Sequence, residues 1–212
     1  QSRQGTAPTG NLERMKDAVP FDQTVADLEL ALGQHQRRRM HIDGFRHAAV
    51  AVALVNRDDQ VFVPLTVRAE HLANHSGQVS LPGGACDEDD DSDIATAARE
   101  LEEELGVART AVRPIGLLDD CPTPSGFVIT PVVFELREAP RYVPDPNEVA
   151  EVFEAPLSHF ADPTLVEDMG ERAFRGVTYR LWAYPYRGHR IWGATARILR
   201  GLVATVDQTI RL

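Results

Sequence analysis

The chain has few cysteines, no long apolar run and no apolar signal-peptide core in its first residues, and each absence argues against a class of protein. Two cysteines among 212 residues, Cys86 and Cys121, are too few for a disulfide framework and are not spaced as a metal-binding pair. We therefore expect a reducing, cytoplasmic setting. No apolar stretch is long enough to span a membrane, and the N-terminal sequence lacks the apolar core of a signal peptide.

Basic residues are also in deficit: 22 Lys and Arg oppose 32 Asp and Glu, which gives a formal net charge of −10. Proteins that bind a nucleic-acid polymer concentrate Lys and Arg along the phosphate backbone, so the composition argues against such a partner. It does not argue against a small anionic ligand. Much of the negative charge lies in residues 87–104, and metal ions bound there would reverse the local potential.

The segment 81–107, LPGGACDEDDDSDIATAARELEEELGV, carries the main chemical signal. Glu100, Glu103 and Glu104 stand at i, i+3 and i+4, so they share one face of a helix. Like charges repel, and Arg99 can pair with Glu103 but cannot neutralise all three. Glutamate-rich helix faces are usually only solvated. Hard divalent cations such as Mg²⁺ or Mn²⁺ nevertheless prefer such oxygen ligands, and the spacing suits a metal site.

The same segment also predicts how the helix is held. Its opposite face is apolar and would pack on a sheet. The residues of that face are Ile94, Ala97, Ala98, Leu101 and Leu105. Ser92 or Asp93 is the expected N-cap, and Gly106 is the expected stop. The preceding Gly83-Gly84 pair can turn tightly and present a carbonyl group to an ion.

The whole pattern, a Gly-Gly pair, an acidic loop and then R-E-φ-x-E-E-x-G-φ with φ apolar, resembles the signature of the Nudix hydrolases. These enzymes cleave nucleoside diphosphates linked to another group. The resemblance implies an α/β fold, a Nudix-type α/β/α sandwich with a mixed central sheet. It implies that Glu100, Glu103 and Glu104 bind Mg²⁺ or Mn²⁺. The carbonyl group near Gly84 would be a further ligand, and Arg99 would hold a glutamate in place.

One departure from the general Nudix pattern narrows the resemblance. Counting back from Arg99 puts Asp91 where the pattern has glutamate and Ala85 where it has glycine, so the loop carries one extra residue or has drifted. The coenzyme A pyrophosphatase subfamily carries the same extra residue. Residues 65–84, which begin L-T-V-R and end G-Q-V-S-L-P-G-G, and residues 191–197, I-W-G-A-T-A-R, also resemble segments of that subfamily.

The subfamily resemblance implies a small-molecule nucleotide substrate, coenzyme A or a derivative, cut to 3′,5′-ADP and 4′-phosphopantetheine. Two alternatives stay open. The chain could hydrolyse another nucleoside diphosphate derivative, such as NADH or ADP-ribose, or it could be a Nudix-like binding or regulatory module without catalysis.

The resemblance leaves the group that accepts the proton from water open. Glu148, in P-N-E-V-A-E just ahead of a predicted strand, is the best candidate outside the helix, although a glutamate there is often plain surface. A helix glutamate or the hydrated metal alone are the alternatives. Glu102 points away from the glutamate face and is interpreted as solvated.

Substrate-binding residues are predicted from their chemistry. Arg68 could bind a phosphate through paired hydrogen bonds, or it could pair with the acidic loop. Phe127, Trp192 and Tyr186 could stack on adenine or line the path of the pantetheine arm, or they could belong to the core. The rigid loop 122–127 could border the pocket.

The spacing of apolar residues along the chain predicts the remaining helices, strands and segment boundaries. Residues 1–20 are expected to be disordered, 21–45 to form an N-terminal helical extension, and 46–212 to form the Nudix domain. Helices are predicted at 21–36, 92–105 and 192–206, and strands at 47–56, 61–67, 112–118, 127–136, 149–154 and 178–184. The basic run 37–39 is expected to be a solvated helix end, with anion binding as the alternative. The first helix would suit a homodimer contact or a lid.

Overall fold

The structure, a computed structural model, describes residues 19–71, 77–174 and 177–207. The predicted disorder of residues 1–20 concerns a segment that lies almost wholly outside these ranges. The described helices are α1 (Phe21–Gln34), α2 (Asp93–Leu105) and α3 (Gly193–Asp207). Short 3₁₀ turns occupy Arg109–Ala111 and Leu157–Phe160. Among the described residues, none of these helices has the length and apolarity to cross a membrane.

The strands are numbered in chain order. They are β1 (Arg46–Arg57), β2 (Gln60–Arg68), β3 (Val79–Ser80), β4 (Gly83–Ala85), β5 (Val112–Leu117), β6 (Cys121–Pro122), β7 (Phe127–Leu136), β8 (Val149–Pro156), β9 (Glu167–Phe174), β10 (Val177–Tyr186) and β11 (His189–Trp192).

Two sheets are built from these strands. The larger has the order β3-β2-β1-β7-β5, with β4 paired to β1, β6 to β7 and β8 to β2. Its central pair, β1 and β7, is parallel from Arg46↔Phe127 to Leu54↔Glu135, and the other pairs are antiparallel. The smaller sheet is antiparallel and has the order β11-β10-β9. The predicted mixed central sheet is confirmed.

Helices cover both faces of β1, because successive strand residues point to opposite sides. The side that packs in one cluster with α2 carries small residues: Ala49, Ala51 and Ala53. The other side joins the larger cluster with α1 and α3 through Val50, Val52 and Leu54. All six are buried. This layering is the α/β/α sandwich that the sequence predicts.

Helix α2 begins and ends as its sequence predicts. The Ser92 hydroxyl accepts a hydrogen bond from the Ala95 N–H at 3.2 Å, so Ser92 rather than Asp93 is the N-cap. Gly106 ends the helix with φ = 68° and donates its N–H to the Glu102 carbonyl. The glutamates are therefore held in the last two turns of a capped helix.

The interpretation of residues 37–39 as a solvated helix end is wrong for Arg37, whereas Arg38 and Arg39 are exposed. Helix α1 ends at Gln34, and the Arg37 side chain is only 13% exposed. It donates hydrogen bonds to Asp120 at 2.6 Å and to Thr130 at 2.8 Å. Arg37 therefore joins the segment after α1 to the sheet, through carboxylate and hydroxyl partners that lie far away in the sequence.

Candidate active site

Arg99 uses its whole guanidinium group to join the acidic loop to helix α2. Nε and Nη2 donate to the two carboxylate oxygens of Asp90, at 3.1 and 2.9 Å. Nη1 donates to Glu100 at 2.8 Å and to Glu103 at 2.9 Å, and Nη2 also reaches the Ala85 carbonyl at 3.1 Å. The Arg99–Glu103 contact expected from the i, i+4 spacing is present. Hydrogen bonds to Asp90 and the two glutamates raise the pKa of Arg99 above its ordinary value.

Asp90 is a structural member of the site that sequence reasoning missed. Its side chain is 8% exposed, and it also accepts hydrogen bonds from the Thr96 hydroxyl at 2.9 Å and the Asp87 N–H at 3.1 Å. The Arg99 hydrogen bonds hold the pKa of Asp90 well below its usual range. Asp90 lies in a run of acidic residues, and nothing in the spacing of that run singles it out.

Glu104 is buried, with 3% of its surface exposed. Burial raises its pKa to about 8, and the negative charges of Glu100 and Glu148 act in the same direction. The Gly83 N–H donates to this carboxylate, but its Oε2 has no hydrogen-bond partner in the part of the chain that the structure describes. A buried carboxylate oxygen without a partner is costly, and a bound cation would satisfy it.

Glu100 lies directly against the backbone of β4. A Cβ atom added at Gly84 would collide with Oε1 of Glu100, so any larger residue would force this carboxylate to move. Burial raises the pKa of Glu100 as well, although Arg99 opposes the shift. The Gly-Gly pair therefore works by allowing a close approach between strand and helix side chain.

Glu103 differs from its two neighbours, because its side chain is 55% exposed and is held by Arg99. Within the described ranges, no three carboxylate, imidazole or thiol groups converge as they do in a closed metal centre. Mg²⁺ commonly uses one or two protein carboxylates and keeps several waters. Glu100 and Glu104, as buried oxygen donors with one unsatisfied atom, fit that mode of binding.

The structure brings Glu148 to the same site from a distant loop. Its negative charge contributes to the raised pKa of both Glu100 and Glu104. The Glu148 carbonyl accepts the Ala69 N–H at 2.9 Å, and the Asp145 N–H donates to the Glu104 carbonyl at 3.1 Å. The loop before β8 is thus tied both to the end of β2 and to the glutamate helix.

Glu102 lies on another side of α2, as predicted, but it is not merely solvated. It accepts hydrogen bonds from the Arg109 side chain at 2.8 Å and from the Arg109 N–H at 3.3 Å. This exposed pair lies apart from the other glutamates and serves as a convenient reference position.

A cavity of about 580 Å³ adjoins Gly83 and Gly84. Three predicted substrate-binding residues, Arg68, Phe127 and Trp192, all line it, as does most of the loop 122–127. Tyr186 does not line it and instead stacks near Phe153 and His159.

Two roles are predicted for Arg68, and pairing with the described acidic loop is not the one observed. Among the described residues no carboxylate lies within ion-pair distance of it, although its charge lowers the pKa of Glu104. Phe127 contacts the guanidinium of Arg46, whose Cζ lies 5.2 Å from the ring centre. Trp192 is partly exposed at the cavity. Arg68, Phe127 and Trp192 can therefore each contact a ligand in the cavity without a rearrangement of the core.

Comparisons with known proteins identify the family. A family model described as the NUDIX domain matches residues 45–174. "Uncharacterized Nudix hydrolase NudL" of Escherichia coli (strain K12) is 38% identical over 189 residues, which cover 89% of this chain and 96% of the relative. The protein of the same name from Photorhabdus laumondii subsp. laumondii is 37% identical over 165 residues, covering 78% and 87%.

A solved structure shows the same fold. The Nudix hydrolase RenU from M. smegmatis superposes with a TM-score of 0.53 and 16% identity, covering 81% of this chain and 91% of that one. At this identity the likeness concerns the fold alone.

Proposed function

Because this chain belongs to the Nudix family of hydrolases, which act on diphosphate bonds of nucleotide derivatives, we propose that its substrate is coenzyme A or a coenzyme A derivative. Water would cut the diphosphate to give 3′,5′-ADP and 4′-phosphopantetheine, with Mg²⁺ or Mn²⁺ as the cofactor. The main support comes from the segments that resemble the coenzyme A pyrophosphatases. They lie far apart in sequence but meet around one cavity.

The cavity joins those segments to the Nudix signature. Arg68 comes from the first segment, residues 78–81 from the stretch just before the glycine pair, and residues 192–195 and Arg197 from the last. All of them border the same space as Gly83 and Gly84. A general diphosphatase site does not require these flanking segments to surround one pocket, so their meeting supports a substrate with an extended second half.

The chemistry of the walls supports the same substrate. Apolar side chains make up much of the lining, including Val50, Leu81, Ile129, Leu181 and Ile198. A pantetheine arm is long and mostly apolar, with two amides, and pockets for such ligands are largely apolar with a few placed polar groups. Arg68 supplies one such group beside the glutamates.

In this proposal Glu100 and Glu104 hold the metal ion, with Glu103 and the Gly84 carbonyl as further donors. When bound, the divalent ion supplies positive charge that offsets the charge of the diphosphate oxygens. Arg99 keeps Glu100 in place through its contacts with Asp90.

Glu148 accepts the proton of the attacking water, and its position near Glu100 and Glu104 supports this role. The water oxygen forms a bond to one phosphorus while the bridging P–O bond breaks. The bridging oxygen leaves on the other phosphate, and Arg68 stabilises the charge on the diphosphate oxygens through paired hydrogen bonds.

A substrate panel tests the proposal. Coenzyme A, dephospho-coenzyme A, NADH and ADP-ribose are incubated with the protein and titrated Mg²⁺ or Mn²⁺, and the products are identified by mass spectrometry. We expect 3′,5′-ADP and 4′-phosphopantetheine, and no products without metal. Cleavage of NADH or ADP-ribose while coenzyme A survives would reject the substrate, and no cleavage of any compound would favour a binding or regulatory module.

A further inference from the structure

Three arginines line the cavity, and two of them lack a protein partner for their charge. Arg180 pairs with Asp168. Arg68 and Arg197 have no carboxylate within ion-pair distance in the part of the chain that the structure describes. Elsewhere in the protein, Arg57 and Arg113 do form ion pairs with glutamates. The cavity therefore offers two cationic groups that are free to meet anions on a ligand.

Arg68 and Arg197 lie at different ends of the cavity. A row of residues crosses the sheet from β4 to β6 in the register Ala85↔Ala48↔Ile129↔Cys121, and all four line the cavity. Three steps between neighbouring strands span roughly 14 Å.

Each arginine can be assigned to one end of this row. Arg68 lies at the glutamate end, since it pairs with Val149, the neighbour of Glu148, and its charge acts on Glu104. Cys121 and Arg197 also line a neighbouring cavity together, and the charge of Arg197 acts on the Cys121 thiol, which puts Arg197 at the Cys121 end.

A ligand that satisfies both arginines needs two separate anionic groups. Arginine binds phosphate through two parallel hydrogen bonds, and a phosphomonoester is a strong acceptor for them. Coenzyme A carries a 3′-phosphate on its ribose in addition to the diphosphate. Dephospho-coenzyme A, NADH and ADP-ribose have the diphosphate but lack that phosphomonoester.

We propose that Arg197 is a specificity-determining residue that binds a phosphomonoester on the ribose of the substrate, while the diphosphate lies between Arg68 and the glutamates. The identity of the substrate in this inference rests on the proposed function. Arg197 makes the enzyme select a nucleotide with a third phosphate over an otherwise identical one without it.

A neighbouring arginine provides a matched control. A second cavity, of about 540 Å³, shares Cys121, Arg197 and Ile198 with the first but is also lined by Arg39. Arg39 is exposed and, among the described residues, has no carboxylate within ion-pair distance, but it does not line the reaction cavity. Replacing it removes the same charge without touching the proposed phosphate position.

Binding of product nucleotides tests the inference without requiring turnover. Calorimetry with Mg²⁺ present compares 3′,5′-ADP with 5′-AMP, which differ only in the phosphomonoester. The native chain should bind 3′,5′-ADP about 10-fold more tightly or better, the gain typical of hydrogen bonds to a charged group. Arg197→Gln should remove this preference and leave the affinity for AMP unchanged, and Arg197→Lys should keep part of it. Arg39→Gln should keep it all.

Kinetics separate this inference from the proposed function. With coenzyme A as substrate, Arg197→Gln should raise KM with little change in kcat, and KM for dephospho-coenzyme A should not change. Equal binding of 3′,5′-ADP and AMP by the native chain, or a preference that survives in Arg197→Gln, overturns the role of Arg197 even if coenzyme A is cleaved. A preference lost in Arg197→Gln without coenzyme A cleavage upholds that role and rejects the substrate.

Discussion

The guanidinium of Arg99 is fixed by the carboxylate of Asp90 through two hydrogen bonds, from Nε at 3.1 Å and from Nη2 at 2.9 Å. The same guanidinium holds Glu100 and Glu103 from the other side. Asp90 thus orients the arginine, and the arginine orients the glutamates. Arg99 pairs with the glutamates from within the site, while Asp90 lies outside the glutamate face and reaches the glutamates through Arg99.

Replacing Asp90 should therefore affect both stability and activity. Asp90→Asn keeps the shape but loses the charge-assisted pair, and we expect it to lower the free energy of unfolding by about 1–3 kcal/mol. The turnover should fall because Arg99 then has fewer contacts that fix it. Urea unfolding and steady-state kinetics measure the two effects. Asp89→Asn, at an exposed neighbouring position, is the control and should change neither.

The same pair predicts a pH dependence. Arg99 holds the pKa of Asp90 below its usual value, so the stabilisation is fully present above the pKa of an unfolded aspartate, about 3.9, and is lost as the pH falls through the folded-state pKa. Between pH 5 and pH 3 the native chain should lose more unfolding free energy than Asp90→Asn. Parallel curves for the two proteins would contradict the assignment of Asp90.

Glu104 offers the sharpest test of the candidate metal site. Glu104→Gln removes the negative charge while keeping the size, and it should lower kcat by at least about 100-fold, because the metal's charge stabilisation is worth several kcal/mol. The Tm should not fall, since Oε2 of Glu104 has no hydrogen-bond partner among the described residues to lose. Glu102→Gln, which affects only the exposed pair with Arg109, should retain activity. Full activity in Glu104→Gln would reject the metal site.

Gly84 tests whether the position of Glu100 matters. In Gly84→Ala the new methyl group would meet the carboxylate of Glu100, so the side chain must move. A displacement of about 1 Å can cost roughly 100-fold in rate, and overpacking costs about 1–3 kcal/mol in stability.

A second glycine gives the comparison for this variant. Gly201, in helix α3, has room for a methyl group, since among the described residues no atom beyond its chain neighbours and the local helix backbone lies within 4 Å of an added Cβ. Gly201→Ala should raise the unfolding free energy by about 0.5–1 kcal/mol and leave kcat unchanged. If Gly84→Ala matches native kcat, the close contact with Glu100 has no catalytic role.

The features that the sequence predicts well are those that depend on local spacing. The pattern predicts strand β7 at 127–136, and the strand lies at Phe127–Leu136, because its apolar run is long and bounded by turn residues. Helix α2 follows equally from its caps and its two-faced pattern. Strand β9, Glu167–Phe174, is not predicted, because EDMGERAF has no clear alternation and its pairing with β10 comes from the hairpin.

The partners of charged residues could not be predicted, because they depend on contacts distant in sequence. Six acidic residues between 87 and 93 look alike in the sequence, and only the folded loop makes Asp90 the hydrogen-bonded partner of Arg99, with Asp87 farther away at 3.5 Å. Glu103 and Glu104 are adjacent, yet one is exposed and the other buried, since the cover over Glu104 includes β4 and the loop before β8.

Arg37 provides a last prediction, because the sequence placed this arginine in solvent and the structure pairs it with a buried aspartate. Asp120 is buried and accepts hydrogen bonds from Arg37, from the Thr130 hydroxyl at 3.0 Å and from the Met40 N–H at 2.8 Å. Arg37→Ala leaves the Asp120 charge buried without its cation, and breaking such a pair costs about 3–5 kcal/mol. Arg38→Ala, at a side chain that is 84% exposed and paired with Asp119, should cost at most about 1 kcal/mol.

The double variant Arg37→Ala/Asp120→Ala measures the interaction between these two side chains apart from the contacts that each makes with other residues. Because both charges are removed together, it should lose less unfolding free energy than the sum of the single variants, which the double-mutant cycle reports as a coupling energy. Urea unfolding of the four proteins gives that value. A coupling near zero would mean that Asp120 is satisfied by Thr130 and the Met40 N–H, and that Arg37 acts through packing and its contact with Asp93 at 3.3 Å.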